Sequence, residues 1–349
     1  MKQITLTYQI YIAAMLLLLG LTACSSKEDI PQPELQPEQN DMPIRWSVQS
    51  EGMAEGRALI DNDAALRNAC TSEMGGKSIG IWSAYEKAGE LTEHVLRAPA
   101  DVSLTYVYGT SWDNWEGWTY GEKAAYWTSD AVYYFNAYFP KEGGLTNISH
   151  TKNSLEGKYN AIETQEDIMV CRKVVDTGAA NFQGSPVSLP MKHALATLQF
   201  LFQMEGESAT NVLKSFSLDN TLKTSADLNY NTADITIGNW VNHQASSTNR
   251  IYAWSSDTGI SFSATTSANP YIGNDNDGRI FIIPQSCATA PTFSFVSDLM
   301  SKEDVSIGTT TFEPGKHYIY TIKMKDNAVN VTLRIKAWNE LNSSYDITF

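Results

Sequence analysis

Short runs of apolar residues that alternate with polar ones fill the chain from about residue 44 onward. Val, Ile, Tyr and Phe dominate the apolar positions, and Gly, Asn, Asp and Pro separate the runs, as in half-buried β-strands joined by turns. A few stretches, notably residues 61–69, could form short helices, but none has a long amphipathic repeat. The pattern predicts an all-β protein built from antiparallel β-sandwiches. Nine runs carry the prediction, namely 78–85, 102–108, 131–138, 196–204, 215–218, 280–284, 292–296, 317–324 and 329–337.

A chain of 349 residues is long enough for two domains. Two β-rich blocks of similar size flank a stretch rich in Gly, Ala, Ser and Pro between residues 178 and 190. We therefore expect two β-sandwich domains in tandem, at 44–186 and 187–349.

The N-terminus has the pattern of an exported lipoprotein. Residues 1–24 combine a basic Lys2, an apolar run at 10–19 and a Leu-Thr-Ala-Cys sequence that ends at Cys24 and resembles a lipobox. We predict that Cys24 is lipidated, because several acyl chains on one residue anchor a protein firmly to a membrane. Residues 25–43 are rich in Pro, Glu and Gln and should form an extended tether.

Composition and charge narrow the possible partners. Hydrophobic residues make up 42% of the chain, which supplies ample material for packed cores. The formal charge of -14 repels phosphate, so we expect no nucleic-acid partner. Beyond Cys24 the chain has three cysteines, Cys70, Cys171 and Cys287, whose wide and irregular spacing is not that of a metal motif. We expect them to be small buried apolar residues, and the sequence allows one pair of them to form a disulfide.

No motif predicts an enzyme, a metal site or a cofactor. The sequence Gly-Lys-Ser-Ile-Gly at 76–80 matches G-x-S-x-G, but a strand follows it where a hydrolase needs a helix. Residues 273–278 resemble the opening of a calcium loop, although a hairpin turn explains them better. Each histidine stands without a partner at ligand spacing, and His193 is predicted to be a structural or domain-interface residue.

Three tryptophans lie close together in a stretch of turn residues, at Trp112, Trp115 and Trp118. Exposed indoles could stack on sugar rings or on a partner protein. The same indoles could instead cap the core of a sandwich, and the sequence leaves both interpretations open.

Several short segments, taken in their order along the chain, carry a family resemblance. They are Ile79-Gly80-Ile81-Trp82, Tyr126-Trp127, the run from Tyr133 to Pro140, Asp167-Ile168-Met169-Val170, His193-Ala194-Leu195-Ala196, Ile282-Ile283-Pro284-Gln285, and Gly315-Lys316-His317-Tyr318 leading to Trp338. Together they resemble the fimbrillin family of type V pili. The resemblance implies two transthyretin-like sandwich domains, lipid-assisted export to the outer membrane, cleavage at an arginine by a surface protease, and assembly by strand exchange.

Both ends of the chain have features that fit strand exchange. Ile44, Trp46 and Val48 would share one face of a first strand that processing could remove. Arg57 and Ala58 flank our preferred cleavage site, with Arg45 and Arg67 as alternates, because exposed glycine-flanked segments admit proteases. At the other end, a short alternating segment could act as a donor strand through Tyr345, Ile347 and Phe349.

The expected partners are therefore other pilus subunits joined head-to-tail, an arginine-specific protease, the outer membrane before processing, and a host protein or glycan. We expect the mature subunit in the fimbria. The alternative is a cell-surface glycan-binding lipoprotein that does not polymerise and uses the three tryptophans.

Overall fold

We describe the fold from a computed structural model. It describes residues 39–50, 62–71, 75–97, 99–108, 117–121, 124–206, 210–246, 250–264, 270–273, 278–325, 328–337 and 345–348.

β-Strands dominate the described residues, and all nine predicted runs overlap strands. This confirms the prediction of an all-β sandwich protein. The strands of the first half are β1 Gln39–Pro43, β2 Trp46–Ser50, β3 Ile79–Lys87, β4 Glu90–Glu93, β5 Val102–Val107, β6 Gly117–Thr119, β7 Tyr126–Thr128, β8 Val132–Phe139, β9 Thr146–Thr151, β10 Ser154–Asn160, β11 Met169–Asp176 and β12 Val187–His193.

The second half continues in the same way. Its strands are β13 Ala196–Met204, β14 Thr210–Leu218, β15 Ser225–Tyr230, β16 Trp240–Gln244, β17 Ala253–Ser263, β18 Tyr271–Ile272, β19 Ile280–Ile282, β20 Gln285–Ser286, β21 Thr292–Ser297, β22 Ser301–Ser306, β23 Thr311–Phe312, β24 Lys316–Lys325, β25 Ala328–Ala337 and β26 Tyr345–Thr348.

Helical structure is short in the described part of the chain. Helix α1 spans Asp63–Ala69, and a 3-10 turn spans Ile237–Asn239. Asn62 caps α1, because its side-chain oxygen accepts a hydrogen bond from the amide of Ala65. No helix among these residues is long and apolar enough to cross a bilayer.

The first hydrophobic core lies against a curved sheet with the strand order β2-β12-β11-β8-β3-β5-β6, in which β4 also pairs with β3. The two end strands, β2 and β6, approach within 8 Å between Cα atoms, so the sheet curls around its own apolar face. Large aromatic side chains fill this core, including Trp127, Tyr133 and Phe135.

The second core lies between packed sheets of β13-β24-β25 and β14-β21. Phe200 of β13 meets Phe216 of β14 with ring centroids 4.7 Å apart, and Phe293 of β21 at 5.6 Å. Side chains from two facing sheets therefore interdigitate, as in a sandwich.

Two strand pairs are parallel in a fold that is otherwise mostly antiparallel. β2 runs parallel to β12, and β13 runs parallel to β24. Each pair joins strands that are far apart in the sequence, because a parallel pair cannot be closed by a tight turn. The sequence pattern did not predict either pair.

A further sheet, in the order β16-β15-β10-β9, combines strands from both sides of residue 186. The division into domains at 44–186 and 187–349 remains a prediction. Cys70, Cys171 and Cys287 form no disulfide. Burial raises the pKa of the Cys70 thiol to about 12, so this cysteine behaves as a small apolar residue.

Candidate functional site

Strand β2 lies at an edge of the curved sheet, and it and Ile44 just before it direct apolar side chains into the first core. Ile44, Trp46 and Val48 are 3%, 7% and 3% exposed. In the parallel register Trp46 lies opposite Val187, and Val48 opposite Leu189. The strand therefore supplies core side chains while only one of its two backbone edges pairs within the sheet order.

Trp46 is the aromatic residue of β2, and its ring packs against two other aromatic rings. Its ring meets Phe135 edge-on at 5.2 Å and Tyr120 at 6.2 Å. The indole Nε1 is buried and has no hydrogen-bond partner among the described residues. A buried donor without a partner loses hydration without compensation, so apolar packing rather than a hydrogen bond holds Trp46 in place.

Backbone hydrogen bonds hold the two residues that precede β2. The amide of Ile44 donates to the carbonyl of Ala125 at 2.8 Å, and the amide of Val187 donates to the carbonyl of Arg45 at 2.7 Å. The side chain of Arg45 is exposed.

The last described strand, β26, lies at the outer edge of the sheet β18-β13-β24-β25-β26. It pairs antiparallel with β25, with Ile347 opposite Leu333 and Tyr345 opposite Ile335. The predicted donor strand therefore lies at a sheet edge, paired through its backbone with its own chain.

The other predicted site residues divide between the described part of the chain and the rest. Trp118, in β6, is half-buried and packs edge-on against Tyr106 at 5.2 Å. Arg67, in α1, places its guanidinium over the Tyr106 ring at 5.2 Å. The residues that lie outside the described part are Cys24, Arg57, Ala58, Trp112, Trp115 and Phe349.

The structure brings together motif pieces that are remote in the sequence. Gly80 of β3 lies against the Tyr138 ring of β8, and a Cβ at this glycine would come within 2.2 Å of the ring. Close packing against the Tyr138 ring therefore requires glycine at residue 80. Beside it, Trp82 of β3 stacks on His150 of β9, with ring centroids 5.7 Å apart.

Asp101 organises a polar cluster beside these aromatic residues, and our sequence reasoning missed it. Its Oδ2 atom accepts a hydrogen bond from the Tyr138 hydroxyl at 3.1 Å and lies 2.9 Å from the Nε2 atom of His150. Its Oδ1 atom lies 3.9 Å from the Nδ1 atom of His94. Burial acts to raise the pKa of Asp101, but the contacts with His150 and Tyr138 outweigh it and hold that pKa below its ordinary value. No sequence signal links residues 49 positions apart.

A second buried pair joins two other motif pieces. His193 contacts Asp167 at 2.9 Å, and both side chains are almost completely buried. His317 hydrogen-bonds Thr197 close by. Burial, followed by the charges of Arg279 and His193, lowers the pKa of His317 well below its ordinary value, so this histidine is neutral. These contacts give the motif histidines structural roles at the junction of β12, β13 and β24.

The fold and these contacts define a β-sandwich protein, and the sequence match gives its family. A profile of the fimbrillin-like family matches residues 67–338, so the chain belongs to that family. Membership places it among fimbrial structural proteins of the cell surface. No curated protein sequence matches the chain significantly.

Structural comparison finds solved structures that are similar to this chain at low sequence identity. A candidate cell adhesion protein from Bacteroides uniformis is 14% identical, covers 86% of this chain and all of its own, and has a TM-score of 0.47. One from Bacteroides ovatus is 13% identical, with 87% and 100% covered and a TM-score of 0.49. A fimbrial assembly protein from Parabacteroides distasonis is 10% identical, with 80% and 94% covered and a TM-score of 0.32.

Proposed function

We propose that this protein is a structural or adhesive subunit of a surface fimbria. It is exported as a lipoprotein anchored to the outer membrane through Cys24, cut after Arg57, and polymerised by donor-strand exchange. Family membership supports the fimbrial role, and the geometry of β2 supports strand exchange.

The observation that carries the proposal is the position of β2. Together with Ile44 just before it, β2 contributes three buried apolar side chains to the first core, yet it lies at an edge of the sheet and precedes the predicted cleavage site. Each such side chain contributes about 1.5–3 kcal/mol when buried. Removing the strand would leave an apolar groove beside β12 that favours replacement by another strand.

A strand from a second subunit is the natural occupant of that groove. The C-terminal segment of this chain alternates apolar and polar residues and lies at a different sheet edge. A groove and a strand on different surfaces make a head-to-tail contact that does not close on itself, and repetition of such a contact builds a fibre.

The proposal predicts a processed N-terminus in the polymer. N-terminal sequencing and intact mass of sheared surface material should show subunits that begin at Ala58, whereas the membrane fraction retains lipidated Cys24. An Arg57→Ala variant should stay lipidated and monomeric, and an Arg45→Ala variant should assemble normally. A lipidated chain in every fraction, with no polymer, would overturn the proposal and favour the non-polymerising glycan-binding lipoprotein.

A further inference from the structure

One hydrogen bond links the end of β2 to the part of the chain that follows the predicted cleavage site. The backbone amide of Ser50, the last residue of β2, donates to the Oδ1 atom of Asp63 at 2.7 Å. Ser50 is 5% exposed, so the bond lies at the margin of the core. A hydrogen bond to a carboxylate is about twice as strong as one between neutral groups.

Asp63 is the first residue of α1, and this helix is fixed to the body of the protein. Leu66 and Cys70 are completely buried. The amide of Tyr106 donates to the Cys70 carbonyl at 3.0 Å, and the hydroxyl of Tyr108 donates to the Asn68 side chain at 2.5 Å. These contacts connect α1 to β5 and its flank. They do not depend on covalent continuity with β2.

We propose that Asp63 is a positioning residue that retains β2 after the chain has been cut between the two. The inference rests on the proposed function, because it assigns a step to the same removable strand. A cut anywhere between residues 50 and 63 leaves the Ser50 amide and the Asp63 carboxylate in place. Cleavage and strand release are then separate events.

Retention has a consequence for assembly. A cut subunit whose groove is still filled does not expose apolar surface or an unpaired sheet edge to unrelated proteins. The Asp63 carboxylate sets how long that protected state lasts. The incoming strand of another subunit then competes with a bound peptide rather than entering an empty groove.

The test measures release from a nicked protein. A recognition sequence for a site-specific endoprotease is inserted after residue 56 of the full chain, and the purified protein is nicked at neutral pH. Native mass spectrometry then follows loss of the N-terminal fragment with time. We expect Asp63→Ala to release the fragment about tenfold faster than the parent chain and Asp63→Asn to fall between them.

Asn68→Ala is the matched control, because it removes a side-chain contact of α1 without touching Ser50 or Asp63. It should leave the release rate within about twofold of the parent, and urea unfolding of each uncut variant checks that it is folded. Equal release from the parent and both Asp63 variants would overturn the inference, as would equal acceleration by Asn68→Ala. Since the nick is engineered, these results do not depend on whether cells cut after Arg57.

Discussion

At the scale of single residues, close packing explains why some of the segments that resemble the fimbrillin family contain the residues that they do. Gly80 leaves room for the Tyr138 ring, and the Tyr138 hydroxyl in turn donates to Asp101. A side chain at residue 80 would displace the ring and disturb this hydrogen bond. The need for glycine at residue 80 therefore comes from a side chain on another strand, β8.

Replacement of this glycine should be costly. We expect Gly80→Ala to lower the free energy of unfolding by about 1–3 kcal/mol, because overpacking forces the ring or the backbone to move. Urea denaturation measures the effect. Gly157→Ala is the control, since the atoms nearest to a Cβ there belong to Leu145, and the nearest lies at an ordinary contact distance of 3.4 Å. Equal stability of Gly80→Ala and the parent would show that the ring can move freely.

At the scale of elements, the hairpin of β9 and β10 is fastened to the first sheet by polar contacts. The Asn136 side chain of β8 donates to the carbonyls of Thr151 and Ser154 at 2.8 and 2.9 Å. His150 of β9 reaches Asp101. The hairpin belongs by pairing to the sheet of β15 and β16, so it connects strands from the two halves of the chain.

The Asp101 contacts predict how stability depends on pH. The folded pKa of Asp101 is below its ordinary value, so this group stabilises the fold above the unfolded pKa and loses that contribution as pH falls through the folded pKa. We expect Asp101→Asn to cost about 1–3 kcal/mol at pH 7 and to make the loss of stability below about pH 4 less steep.

Urea unfolding between pH 2 and pH 7 checks this expectation. It measures separately the free energy of unfolding at neutral pH and the steepness with which that free energy falls as the pH is lowered. Asp257→Asn, at an exposed position on β17, is the control and should leave both nearly unchanged. An unaltered acid slope in Asp101→Asn would show that another carboxylate governs acid unfolding.

At the scale of the whole molecule, the C-terminal segment offers a way to test assembly without preventing folding. Deleting residues 345–349 removes the edge strand β26, whose one partner among the described strands is β25. We expect a folded, soluble subunit whose free energy of unfolding falls by about 1–3 kcal/mol, together with complete loss of fibres. Electron microscopy and size-exclusion chromatography measure assembly, and thermal unfolding measures folding.

A chain with residues 345–349 replaced by serine and asparagine is the control for length. It should also fold and fail to assemble, because strand exchange requires apolar side chains rather than any extended tail. Fibres of normal length from either chain would exclude the C-terminus as the donor.

Local sequence signals were sufficient for part of the secondary structure. Alternation predicted the nine strands, and the predicted helix at 61–69 corresponds to α1 at Asp63–Ala69, which begins after its Asn62 cap. The pattern also placed Ile44, Trp46 and Val48 on one face, where all three are buried. These features depend on neighbours within a few residues, so the sequence alone contains them.

The contacts between remote strands depended on tertiary structure. The histidines seemed isolated along the sequence, yet His150 meets Asp101 and His193 meets Asp167. The parallel pairing of β2 with β12 was likewise invisible. Alternation fixes which side chains turn inward, but the partner of each strand is chosen by packing of the complete core and by satisfaction of its buried polar groups, both of which exist only in the folded chain.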